Sequence, residues 1–207
     1  MKKSNFIIVL SILLAFIFLV SLGANKNARI AENEINKSNL IGHVHSSNIK
    51  FDDEEIFGYA DLVAIGKIVE VSEAKYEIQD FHSKQLPYIY KDYFFEITKD
   101  LKGDLPQGEV VTVRVPGGEI GKHKFVTDSI SPGTTYRQLL YLKEWNPIDD
   151  NKVTYTILGG PQGKYELREG KAVGFEKSIS EEIFLEKVKG FKEKYGNKVV
   201  LPPGVIK

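Results

Sequence analysis

Cysteine is absent from all 207 residues. Without a thiol there is no disulfide framework, no thiolate zinc site, no cysteine nucleophile and no N-terminal cysteine for lipid acylation. Excess charge is lacking too: 28 basic residues balance 28 acidic ones, which removes the global electrostatic case for a nucleic-acid partner. No solenoid-length repeat, Gly-x-Ser-x-Gly or His-Glu-x-x-His is present. The stretch VTVRVPGGEIGKHKF, residues 111–125, resembles a strand feeding a phosphate loop but lacks its parts. His123 stands where Ser or Thr should follow Gly121-Lys122, and Pro116, which has no N–H, stands where the first Gly is required. Pro-Gly-Gly there reads as a strand end followed by a tight turn, with another short strand at 123–127.

What the chain does contain begins at its N-terminus. Lys2 and Lys3 precede residues 6–22, an uncharged run in which two serines are the only polar side chains. A basic start and an apolar stretch mark an export segment. Its length falls between a cleaved signal peptide and a spanning helix, so residues 1–24 are read as a signal peptide or a membrane anchor. The flanking lysines put the N-terminus in the cytoplasm and the remainder across the membrane, an extracytoplasmic location, anchored or secreted. Residues 25–50, rich in Asn, Lys, Ser and Glu, read as a tether.

The folded domain is expected over residues 51–196. Asp52 or Asp53 caps a short helix through Tyr59. Strands follow at 62–71, 88–98, 110–115, 135–142, 153–158, 163–169 and 171–176, each bounded by turn residues. Such close spacing predicts a mainly β, small antiparallel barrel. Ser180 is placed to cap a C-terminal amphipathic helix with Ile183, Phe184, Val188, Phe191 and Tyr195 as its apolar stripe. Residues 197–207 read as a tail.

Candidate chemistry is sparse. His43 and His45 lie two apart in the tether, with only His82 and His123 as further imidazoles, too few convergent ligands for a zinc centre, so no metal or other cofactor is expected. Ser47/Lys50 and Ser72/Lys75 each spell Ser-x-x-Lys without the Lys-Thr-Gly that accompanies it in penicillin-recognising enzymes. Asp52–Glu55 reads as a helix start, and Asp149-Asp150 as a turn, since neither has the spacing of a calcium loop. The densest feature is aromatic: Phe81, Tyr88, Tyr90, Tyr93, Phe94 and Phe95 fall within fifteen residues. Alternation puts Tyr88, Tyr90 and Phe94 on one face and Tyr93 and Phe95 on the other. Tyrosines on an outer face would make a platform for a glycan, peptide or partner, and Tyr88, Tyr90 and Tyr93 are the candidate ligand-binding residues.

The order of residues 60–71 (ADLVAIGKIVEV), 95–103 (FEITKDLKG) and 133–142 (GTTYRQLLYL) resembles a group of uncharacterised exported bacterial proteins and, more distantly, netrin/TIMP-like modules. The resemblance covers about residues 60–170 and implies an OB-type barrel. TIMP-like inhibitors bind a protease metal through a cysteine-anchored N-terminus, and this chain has no cysteine, so the resemblance implies the barrel rather than inhibition. Together these features point to a non-catalytic extracytoplasmic binding module for an envelope protein or glycan, held at the membrane if residues 1–24 are retained. The alternatives are an envelope hydrolase, for example through His123, Asp128 and Ser129, and a structural envelope component or TIMP-like inhibitor.

Overall fold

A computed structural model describes residues 41–44, 50–81, 84–121, 123–127, 129–145 and 153–200. The apolar N-terminal segment, His45, Ser47, His82, Asp128, Asp149 and Asp150 lie outside them. One compact unit comprises Gly42–Ile120 and Lys124–Lys207; the other, Met1–Ile41 with Gly121–His123, lies almost wholly outside the described residues. Among the described residues no helix is long and apolar enough to cross a membrane.

The protein is mainly β, organised around a closed five-stranded barrel with a C-terminal helix. The barrel strands are β2 (Leu62–Val71), β4 (Lys84–Lys102), β5 (Val110–Pro116), β8 (Arg137–Trp145) and β9 (Thr154–Ile157). They neighbour one another in the order β8-β2-β4-β5-β9, and β9 returns to β8. The β5–β9 pair is parallel, through Thr112–Thr154 and Val113–Tyr155. The other four pairs are antiparallel. Beyond β8 the sheet continues through β10 (Lys164–Arg168), β11 (Lys171–Gly174) and β12 (Lys177–Ser180). The first half of β4 carries β3 (Lys75–Phe81) as an outer strand, paired antiparallel from Lys75–Tyr90 to Phe81–Lys84. A second sheet has the order β1 (Ile41–Val44), β7 (His123–Thr127), β6 (Gly118–Ile120). The segment read as a tether, residues 25–50, therefore contains a strand, β1.

Closing the barrel needs strong local curvature. The β2–β4 register shifts three times, once between Ile65 and Gly66. At Gly66 an added Cβ would stand 2.1 Å from the Glu96 carbonyl oxygen and 2.7 Å from the Phe95 ring, so only glycine permits the approach.

Strand alternation divides the core in two. Leu62, Ala64 and Ile68 of β2, with Leu140 and Leu142 of β8, point into the barrel among Tyr93, Phe95 and Ile97 of β4 and Val111, Val113 and Val115 of β5. The intervening Val63, Ile65, Leu139 and Tyr141 face a second cluster built with the helices. β2 and β8 are thus buried on both faces over much of their length, which explains the near-continuous apolar runs LVAI and LLYL.

Helix α1 (Asp53–Tyr59) starts with a complete capping box. Asp52 Oδ1 accepts from the N–H groups of Glu54 (2.9 Å) and Glu55 (2.8 Å), and Glu55 Oε2 accepts from the Asp52 N–H at 3.0 Å. Helix α2 (Glu181–Tyr195) buries Phe184, Val188 and Phe191, one stripe at helical spacing. Ile183 falls off that stripe and is 61% exposed, contrary to its expected inward place. Ser180 occupies the N-cap position, yet its hydroxyl makes no capping bond. The acidic first turn of α1 ties the two helices together. Asp53 accepts from Tyr165 Oη at 2.6 Å and from the ammonium groups of Lys177 and Lys187, while Glu54 accepts from Lys194 and Tyr195. After α2 the chain returns to α1, where the Val200 N–H donates to the Gly58 carbonyl at 2.9 Å.

Candidate functional site at the barrel mouth

On β4 the residues that share a face with the barrel interior run Ile97, Phe95, Tyr93, Lys91. On β5 the facing row is Val111, Val113, Val115, with Lys91 opposite Val115 and Tyr93 opposite Val113. A lysine therefore interrupts the apolar row, which resumes at the buried Ile89. At the lysine lies a groove of about 310 Å³ whose walls include Tyr93 and Val115, both members of the interior cluster, so the groove opens over one mouth of the barrel.

The Pro116-Gly117-Gly118 turn carries the chain from β5 into the β6–β7 hairpin that forms the groove's other wall. Gly117 and Gly118 have φ of 118° and 136°. A Cβ on Gly117 would come within 2.9 Å of Thr127 Cγ2, so the turn demands glycine both for its backbone angle and for the closeness of β7. The expectation of a strand-ending turn rather than a phosphate loop agrees with this geometry.

From β7 the groove is lined by Phe125 and Thr127. Thr127 Oγ1 donates to Ser129 Oγ at 2.7 Å and accepts from the Ser129 N–H at 2.8 Å, which fixes the rim as it leaves the strand. Glu119 and Lys124 pair across the hairpin at 2.7 Å and are well exposed, so they neutralise each other in place. That pairing holds the exposed Glu119 carboxyl below its ordinary range. Lys91 is half-buried and has no carboxylate partner among the described residues. The groove thus combines two aromatic rings, aliphatic walls, a hydroxyl-bearing rim and one uncompensated ammonium group.

The three tyrosines singled out from the sequence are all buried, with exposures of 7% for Tyr88, 3% for Tyr90 and 8% for Tyr93. The expected outward-facing platform is replaced by two separate environments. Tyr93 joins the barrel interior and contributes to the groove wall. Tyr88 packs edge-on against Phe125, with centroids 6.0 Å apart, and parallel to Trp145 at 6.5 Å. Its burial pushes the phenol up to about 12.

Tyr90 belongs to an ionic cluster. The Arg114 guanidinium lies 4.0 Å from its ring centroid, and its hydroxyl donates to Glu77. Burial disfavours the phenolate and the Glu77 bond adds to that, pushing Tyr90 up. Arg114 in turn grips Asp92 through Nε at 2.9 Å and Nη2 at 3.3 Å, and Lys75 Nζ reaches Asp92 Oδ2 at 2.8 Å. Burial alone would push the Asp92 carboxyl up; the bonds from Arg114 and Lys75 outweigh it and hold it below the usual range.

This cluster also accounts for one Ser-x-x-Lys spacing. Ser72 Oγ accepts from the Asp92 N–H at 3.0 Å and donates to the Glu73 carbonyl, while Lys75 binds the Asp92 carboxylate. Both side chains are engaged with Asp92 and neighbouring backbone, and they clamp β3 onto β4. Of the suggested hydrolase trio, His123 is buried, Ser129 is engaged with Thr127, and Asp128 lies outside the described residues. Among the described residues no cluster of three or more His, Asp or Glu is arranged to hold a metal.

Sequence reasoning missed Lys91, Phe125 and the hairpin rim. One signal was available: Lys91 interrupts an otherwise apolar alternation from Ile89 to Ile97, and a lysine in an inward row marks the place where that row meets water. The hairpin gave no comparable sign. Comparison of the chain with family models, with curated proteins and with solved structures finds no match.

Proposed function

We propose that this chain is an extracytoplasmic binding module, exported or anchored by its apolar N-terminus, that takes its ligand in the groove at the barrel mouth. The observation that carries this reading is the groove itself, lined by a mixture of apolar and polar residues at the mouth of a β-barrel, where ligand sites concentrate. The strand order β2-β4-β5-β9-β8, closed by a parallel β5–β9 pair, supports an OB-type, netrin/TIMP-like assignment. In OB-folds the second and third barrel strands form the common binding face. Those strands here are β4 and β5, which carry Lys91, Tyr93 and Val115. The ligand is an envelope protein or glycan, and the groove's small volume favours a unit the size of one sugar ring or one side chain.

The test is capture in intact cells. Full-length protein carrying a photo-cross-linking residue at Val126, on the groove rim, should trap an envelope component, and Phe125→Ala should lose it while keeping its melting temperature within a few degrees. Equal capture by the two forms places the ligand elsewhere and defeats this reading.

A further inference from the structure

Resting on that binding reading, we infer that the groove selects an anionic sugar, a saccharide unit bearing one carboxylate or phosphodiester, with Lys91 as the group that recognises its charge. The argument begins with what surrounds the ammonium. Lys91 follows Tyr93 in the inward row of β4, and it lines the groove without a carboxylate partner among the described residues. The other groove lysine, Lys124, is neutralised by Glu119 at 2.7 Å. Among the described residues that line the groove, the charges therefore sum to a single positive one. A neutral ligand would strip water from Lys91 without replacing it, whereas an anion compensates the lost hydration with a charge-assisted hydrogen bond.

The remaining walls fit a pyranose better than a peptide. Two aromatic residues, Tyr93 and Phe125, line the groove beside three hydroxyl-bearing ones, Thr127, Ser129 and Ser131, a composition that suits a ring with an apolar face and projecting hydroxyls. A peptide strand would need a row of unpaired backbone groups. On this side β5 is already paired with β4 from Val110 to Pro116, and the Gly117 N–H donates to Ile89. The volume of about 310 Å³ accommodates a sugar-sized unit and not a multi-residue extended segment.

The experiment titrates detergent-solubilised full-length protein with four probes: an oligoglucuronate, a phosphodiester-linked oligo(glucose 1-phosphate), a neutral oligoglucose of equal length, and an acidic hexapeptide. One or both anionic saccharide probes should bind at least tenfold more tightly than the neutral one, with an affinity that falls as salt is raised. Their ranking separates carboxylate from phosphodiester recognition. Lys91→Met should remove about tenfold of that affinity and most of its salt dependence, Lys91→Arg should restore part of both, and weak binding of the neutral sugar should not fall in Lys91→Met, because the ammonium that it desolvates is gone. Equal binding of neutral and anionic saccharides, or an unaltered anionic affinity in Lys91→Met, overturns the inference while leaving a binding groove intact. Preferential binding of the peptide overturns it in favour of a protein ligand. Binding of none of the four defeats both the inference and the groove reading on which it rests.

Discussion

Lys102 on β4 reaches across the helical core and donates from Nζ to the carbonyl oxygens of Phe57, at 2.8 Å, and Gly58, at 3.0 Å. Helix α1 has no basic residue in its own last turn, so the cation that its C-terminal carbonyls call for comes from a strand. Lys143 of β8 assists from the side, bonding the Tyr59 carbonyl at 3.3 Å and Asp61 Oδ1 at 2.9 Å. Lys102 is fully buried, and that burial pushes its ammonium down to about 8 despite the pull of Asp61.

Lys102→Met should lower stability by about 2–3 kcal/mol, because two buried carbonyls lose a charged donor. Its pH signature separates it from a simple packing defect. The folded-state value lies below the ordinary 10.5, so between about 8 and 10.5 the unfolded chain binds more protons and stability rises with pH. Above pH 10 the buried tyrosines oppose this, since a raised phenol makes the folded state the more protonated one. Urea denaturation from pH 7.5 to 9.5 should therefore show a rise in the parent protein that Lys102→Met lacks; parallel curves would refute the assignment.

Asp92 and Arg114 form a buried pair, and removing one partner strands the other. Asp92→Ala should cost about 3–5 kcal/mol, and Arg114→Met about as much, with strong non-additivity in the double variant. The lowered Asp92 value means its contribution is present above the ordinary carboxyl value of 3.8 and is lost as pH falls through the folded-state value. Asp92→Asn should flatten the acid limb of the stability profile, measured by denaturant midpoint between pH 5 and 2. Additive single-variant losses would show that the two groups act separately.

Gly66→Ala inserts a methyl group where 2.1 Å separates its position from the Glu96 carbonyl oxygen, an immovable backbone atom. The expected outcome is a loss of 3 kcal/mol or more, or failure to fold, read by the melting temperature. Gly190→Ala, with open space around it, is the control and should be neutral or slightly stabilising because alanine is the better helix former.

Asp53→Ala should loosen α2 more than the barrel. Its carboxylate serves Tyr165, Lys177 and Lys187 at once, and those bonds hold it below the ordinary value against the upward push of burial. Hydrogen exchange of α2 amides should quicken by about tenfold while β2 amides change little. Equal acceleration in both would mean that the helices and barrel open as one unit.

Most of the scaffold was legible because its signals are local. The β2 run LVAIGKIVEV carries β-branched residues between turn signals, and the strand occupies those ten residues. The acidic cluster Asp52–Glu55 announced α1 as a capped helix start, and the structure settles the cap on Asp52 and adds the reciprocal bond from Glu55. The tyrosine run was legible as strand but not as surface. Whether Tyr90 faces water depends on Arg114 in the next strand and Glu77 in the previous one, and no periodicity within β4 carries that information. β6 and β12 escaped notice because three- and four-residue strands hold too few side chains to show a period of two. The groove is a product of tertiary closure: β4, β5 and the β6–β7 hairpin meet only once Gly117 has turned the chain.

The Val200–Gly58 bond bears on how the domain can be handled. It brings the chain's exit beside the first helix, so that from α1 onward the chain closes on itself like a loop tied at a knot. Every residue of the groove belongs to the middle of the sequence, between Lys91 and Ser131. New ends can therefore be opened elsewhere, at the exposed Glu169-Gly170 turn for instance, and the old ends joined by a short linker, with the binding wall left as one uninterrupted piece of chain.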